Sequence, residues 1–221
     1  KAPYQSGMIF AFLNSLLWFF GIHGAHALLP MLEQFEAAVP LAQAAVASGG
    51  PPSHLMNSTF LGTFVFIGGS GATLSLTLAM LLLCKNKNLR LLAVASLPIA
   101  MVNVNEILLF ALPIILNPRL LIPFITVPIG NLVFALAATE SGLVAPATVL
   151  VPFSSPIGIN AFIATGGDPS AIVLQLVCVV IGLLIYAPFV QHIDAQNVIA
   201  KVIHLKSLDT TYTQLQEHAA L

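Results

Sequence analysis

Long apolar runs alternate with short polar interruptions along the whole chain. Residues 8–32, "MIFAFLNSLLWFFGIHGAHALLPML", read as a first apolar helix interrupted near its end by Gly21, His23, Gly24 and His26. Residues 33–58 form a polar connection rich in Ala, Pro and Gly, expected as a partly helical excursion outside the hydrocarbon. Residues 59–84 are apolar again but broken at 68–73 by "GGSGAT". In the run 89–117, Pro98 and Pro113 bracket a cluster of Asn103, Asn105 and Glu106, and residues 119–139 continue after "NPR". Residues 143–165 carry Pro146, Pro152 and Pro156 around a polar centre. The cleanest spanning pattern is 170–193, "SAIVLQLVCVVIGLLIYAPFVQHI", followed by a polar, helix-compatible tail over 194–221.

Apolar stretches of about 20 residues or more are each long enough to cross a bilayer. Lipid offers the backbone no hydrogen bonds, and the dyad alternation of a barrel is missing, so the runs are helices. The expected fold is an all-α polytopic membrane protein with transmembrane helices and re-entrant helical hairpins. Breaks inside such runs survive where the freed backbone is buried in protein or lines a wet cavity. The interruptions at 68–73, 98–113 and 152–160 are therefore site candidates as a group, although each alone also fits a plain kink.

Composition supports this class, with 58% hydrophobic and only 7% charged residues, against about a quarter charged in soluble domains. A net charge of -1 gives no polyanion-binding signal and argues against nucleic acid as a partner. Three of the seven Lys/Arg residues fall in "CKNKNLR" as Lys85, Lys87 and Arg90, placing that loop on the cytoplasmic side. Lys201 and Lys206 place the tail on the same side. The opening "KAPYQSG", without an initiator methionine or signal pattern, reads as an internal piece of a longer protein.

Glu106 alone among the eight acids lies deep in an apolar run. A carboxylate at a helix centre costs about 3 kcal/mol to insert, which makes it a functional candidate by default. Asn103 and Asn105 are either helix-packing glue or part of a polar pocket shared with Glu106. His23 is flanked by small residues that let a ligand or a second backbone approach. Trp18 and Phe153 fit either an interfacial belt or a stacking platform. "GGSGAT" lacks the Gly-Lys-Ser/Thr ending of a nucleotide loop and fits the tip of a re-entrant segment. No His/Glu spacing points to a metal, no cofactor is implied, and Cys84 and Cys178 read as packing residues.

With these residues in view, the segments "WFFGIHG", "FLGTFVFIGGSGATLSLTLAMLL", "NVNEILLFALPIILNPRLLIPF" and "VPFSSPIGINAFI" resemble one family. It is the membrane IIC component of phosphotransferase-system sugar permeases, of the lactose/cellobiose/chitobiose type. The resemblance runs in order from about Ser6 to Ile193 and corresponds to the C-terminal, substrate-binding half, without the N-terminal helices that build most of the dimer scaffold. It implies that His23 and Glu106 contact the 6-hydroxyl of a sugar. It also implies that Trp18 and Phe153 stack on the rings; Asn103 and Asn105, clustered with Glu106, and Ser70, in the "GGSGAT" tip, are expected to complete the binding set. A phosphocysteine on a separate cytosolic IIB protein would supply the phosphoryl group, so no residue of this chain is expected to carry phosphate. Two departures stand out: Ile107 replaces the proline of the family's Asn-Glu-Pro, and "VPFSSPI" replaces "VPWTTPP", exchanging an indole for Phe153.

The resemblance implies a homodimer in the bacterial inner membrane, with residues 1–193 as the substrate-binding half and 194–221 as a cytosolic helical tail or linker. Two functions fit. One is a permease that binds a hexose or β-linked disaccharide and presents its 6-hydroxyl for phosphorylation. The other is a IIC-like sugar sensor regulating a fused cytosolic enzyme such as a cyclic-di-GMP phosphodiesterase.

Overall fold

The structure, a computed structural model, describes residues 2–219 apart from 51, 52 and 113, with side chains described from 4 to 196 except at those three positions. Pro113 thus lies outside the described residues, as do the side chains of Lys201 and Lys206. The described chain is helical throughout, as expected, and contains no strand.

Helix α1 (Ala2–Phe19) begins ahead of the first apolar run and ends in a turn at Phe20–Ile22, where Gly21 takes φ +79°. The short α2 (Gly24–Ala27) and then α3 (Leu29–Ala47) follow. The region expected as a partly helical excursion is helical up to Ala47. It packs into the fold through Phe35, Ala38, Val39 and Ala42, an i, i+3, i+4, i+7 stripe. The rings of Phe35 and Phe10 meet edge-on at 5.4 Å.

The 59–84 run splits as expected. It comprises α4 (Ser58–Phe60), a π-helical turn over Leu61–Val65, a loop over 66–72, and α5 (Thr73–Leu83). Asn57 caps α4, accepting from the Phe60 N–H at 2.9 Å and donating to the Ala147 carbonyl at 2.9 Å. The next run is likewise broken, into α6 (Lys87–Ala100) and α7 (Glu106–Ala111) around residues 101–105. Helix α8 (Pro118–Glu140) is continuous, starting with Pro118 in its first turn behind the Asn117 cap. Residues 143–158 are irregular and lead to α9 (Ile159–Ala164).

The last helix, α10 (Ser170–Ala219), runs as one backbone helix through the proposed boundary at 193/194. Two segments are long and apolar enough to cross a membrane, α8 and residues 170–196 of α10. Ile122, Val133 and Phe134 on α8, with Val173, Val180 and Leu184 on α10, are exposed.

On its other face α10 packs tightly against α5. A Cβ at Gly182 would collide with the Ser75 side chain, whose hydroxyl donates to the Val179 carbonyl at 3.0 Å. The Tyr186 hydroxyl donates to the Gly71 carbonyl at 2.7 Å. About two turns further along the same stripe, the Asp194 carboxylate accepts from the backbone N–H groups of Lys85 and Asn86 at 2.8 and 2.9 Å. Burial and the Asp194 charge push the neighbouring Cys84 thiol up to about 11, so it holds almost no thiolate at neutral pH.

Candidate functional site

One cavity of about 730 Å³ opens between α1, α3, the 61–72 segment, residues 103–106 and residues 150–153. Small-molecule sites have volumes of this order. Trp18, His23, Ser70, Asn103, Asn105, Glu106 and Phe153, which lie far apart in the chain, all line it.

Helix α1 presents Phe10, Asn14 and Trp18 at i, i+4 and i+8, a single helical face along the cavity. Just past its end, His23 caps α2. Its Nδ1 accepts from the His26 N–H at 3.3 Å, which in a neutral ring assigns the proton to Nε2. The His23 ring stands 4.5 Å from Trp18 and 3.9 Å from His26, centroid to centroid. Gly24 allows this reversal, because a Cβ there would sit 2.6 Å from the Asn14 carbonyl oxygen.

The loop 66–72 forms a second wall, held by three asparagines. Asn103 sits at φ +62°, a region that asparagine tolerates better than most residues. Its Oδ1 accepts from the Gly68 N–H at 2.7 Å, and its Nδ2 donates to the Phe153 carbonyl at 2.9 Å. Asn105 Nδ2 donates to the Ser70 carbonyl at 2.8 Å and to Thr73 Oγ1 at 3.0 Å. Asn14 Nδ2 donates to Ser70 Oγ at 3.1 Å. Gly69, at φ +94°, lies so close to Asn105 that a Cβ would come within 2.6 Å of its Cγ. The amide nitrogens of Asn103 and Asn105 are thus committed to protein oxygens, and both side chains build the wall.

Glu106 is the first residue of α7 and is exposed where it lines the cavity. The cost expected for a carboxylate in an apolar run is relieved because the helix break opens it to this space. Its Oε2 accepts from the Asn105 N–H at 3.1 Å. Phe153 is 54% exposed at the rim, where its ring lies over Gly62. Ile107 is 41% exposed, directly after the cavity-lining glutamate.

Several lining residues escape a reading of the sequence alone. Asn14 is one, although its i−4 spacing from Trp18 on an apolar helix is a usable signal. Glu36 is another, one position beyond the buried Phe35 in a region that reads as a connection. Gln175 acts from behind the wall. It donates to the Thr63 carbonyl at 2.7 Å and to Asn160 Oδ1 at 3.0 Å, while its Oε1 accepts from the Gly158 N–H at 2.6 Å.

Comparison with known proteins places this geometry. Residues 1–128 match the family described as "Phosphotransferase system, EIIC". The lichenan permease IIC component of Bacillus subtilis (strain 168) is 33% identical over 187 residues, covering 84% of this chain and 41% of that protein. The cellobiose-specific EIIC component of Geobacillus stearothermophilus is 36% identical over 189 residues, covering 84% of this chain and 42% of that one. The crystal structure of the transporter ChbC is similar in fold with a TM-score of 0.83 at 32% identity, covering 90% of this chain and 46% of that one. ChbC is the IIC component of the N,N'-diacetylchitobiose-specific phosphotransferase system. The chain spans less than half the length of these relatives. With more than half of its residues inside the family match, the chain belongs to the phosphotransferase-system EIIC family.

Proposed function

We propose that this chain forms the sugar-binding part of a phosphoenolpyruvate-dependent permease in the bacterial inner membrane, working as a homodimer with a cytosolic IIB protein. The ligand is a hexose or a β-linked disaccharide, seated between Trp18 and Phe153 with its 6-hydroxyl at Glu106 and His23. One observation carries this reading: seven residues from separate stretches of the chain converge on a single cavity of about 730 Å³.

The chemistry follows from the groups present. Glu106 has one carboxylate oxygen engaged by the Asn105 N–H, and the other is available to accept from the sugar hydroxyl. His23 offers Nε2–H to the same oxygen and so fixes which lone pair faces the incoming phosphorus. As the 6-oxygen bonds to phosphorus, the sulfur–phosphorus bond of the IIB phosphocysteine breaks and the hydroxyl proton passes to Glu106. Phosphoryl transfer depends mainly on positioning, so an ordinary carboxylate suffices. Trp18, 8% exposed and braced by His23, offers an aromatic face to the sugar's C–H bonds.

The test uses the full-length protein in vesicles with phosphorylated IIB and labelled cellobiose. Glu106→Gln is expected to lower formation of the 6-phosphate by about 10²–10⁴, the range for loss of a general base. An unchanged rate would remove Glu106 from the reaction. A wild-type protein that binds the sugar and never phosphorylates it would favour the sensing function over transport.

A further inference from the structure

Resting on the sugar-binding reading above, we infer that Glu36 recognises the second ring of a disaccharide and sets a preference for disaccharides over monosaccharides. The cavity follows the face of α1 from Trp18 back to Phe10, eight residues, or about 12 Å at 1.5 Å per residue. That is the reach of two linked pyranose rings rather than one. Glu106 and His23 occupy the Trp18 end. The opposite end is marked by Phe10, whose ring meets Phe35, and Glu36 follows Phe35 on α3.

The two ends differ in how their polar groups are used. Around Glu106 the asparagine amides are bonded to the protein. Glu36 has no hydrogen-bond or ion-pair partner among the described residues, although it is exposed and lines the cavity.

A free carboxylate accepts hydrogen bonds from two adjacent hydroxyls, the pattern that a pyranose ring presents. Among the described residues no Lys or Arg lines the cavity, so no permanent positive charge stands opposite Glu36. The occupant of the Glu36 end is therefore a neutral, hydroxyl-bearing ring, and a ring carrying a carboxylate or phosphate is repelled.

Calorimetry on the purified full-length protein, with cellobiose and glucose as ligands, tests this. Glu36→Ala is expected to weaken cellobiose binding about tenfold, the loss of one charge-assisted hydrogen bond. Glucose affinity should stay within about twofold, which also shows that the variant is folded. Glu36→Gln, keeping one acceptor oxygen, should fall between wild type and alanine. Unchanged cellobiose affinity in the alanine variant, or an equal loss for both sugars, would overturn the role of Glu36 alone. A wild-type protein that binds neither sugar would overturn the sugar reading of the cavity as well.

Discussion

Asn103 joins two walls of the cavity from a left-handed backbone position, so its replacement has separable costs. Its Oδ1 serves the buried Gly68 N–H, and its Nδ2 serves the Phe153 carbonyl. Leaving the Gly68 N–H unsatisfied costs about 1–3 kcal/mol, and losing the bond to Phe153 about 0.5–1.5 kcal/mol. Asn103→Gly keeps the φ of +62° accessible and should therefore cost roughly 2–4 kcal/mol. Asn103→Ala adds about 1 kcal/mol or more for holding a Cβ at that φ. Asn103→Asp keeps the acceptor and the backbone preference but buries a carboxylate whose second oxygen faces the Phe153 carbonyl, so it should be no milder than glycine. For chains of this size about 1 kcal/mol shifts the melting temperature by roughly 2–4 °C. Thermal unfolding should thus fall by roughly 4–16 °C for the glycine variant and further for alanine. Glycine and alanine variants that melt with the wild type would refute the bonding argument, and equal losses for the two would refute the backbone one.

Other consequences can be checked separately. Gly69→Ala should displace Asn105 and weaken sugar binding together with stability, because the new Cβ lands 2.6 Å from the Asn105 Cγ at a φ of +94°; wild-type affinity in that variant would contradict the close packing. Asp168 accepts from the Ala145 N–H at 2.7 Å and from Ser170, which holds its carboxyl below the usual 3.8. The stability it contributes is complete above pH 3.8 and is lost as pH falls through the lower folded value. Asp168→Asn should remove that acid-sensitive component from a melting-temperature profile, and an identical profile would exclude it. The Cys84 thiol, pushed up to about 11, should resist alkylation at pH 8 in the folded protein and react once it is unfolded.

Much of this architecture is legible in the chain. The continuous apolar runs at 119–139 and 170–193 correspond to α8 and to the first part of α10, because an uninterrupted apolar stretch leaves the backbone one solution in lipid. The breaks at 68–73 and within 98–113 are equally visible, since glycines and asparagines stand where neither propensity nor burial favours them, and the second narrows in the structure to residues 101–105. What the chain conceals are directions and partners. Asn103 and Asn105 are recognisable as polar-pocket residues, but their amides turn to protein atoms 32 to 50 positions away. No local pattern encodes that choice. Helix α3 is obscured because its buried stripe is mostly alanine and valine beside Glu and Gln, which lowers the contrast between its faces. Glu36 is lost with it.

The two attachments made by α10 brace one wall of the cavity. Tyr186 holds Gly71 in the cavity loop, and Asp194, on the same helical stripe, holds the backbone at Lys85 and Asn86. Helix α5 connects those two points and is itself seated on α10 at Gly182. Loop, helix, charged turn and α10 thus close a frame braced at both ends and in the middle. The facing wall at residues 150–153 is joined to that frame through Asn103, whose Nδ2 donates to the Phe153 carbonyl while its Oδ1 accepts from the Gly68 N–H, so a displacement of either wall is carried to the other.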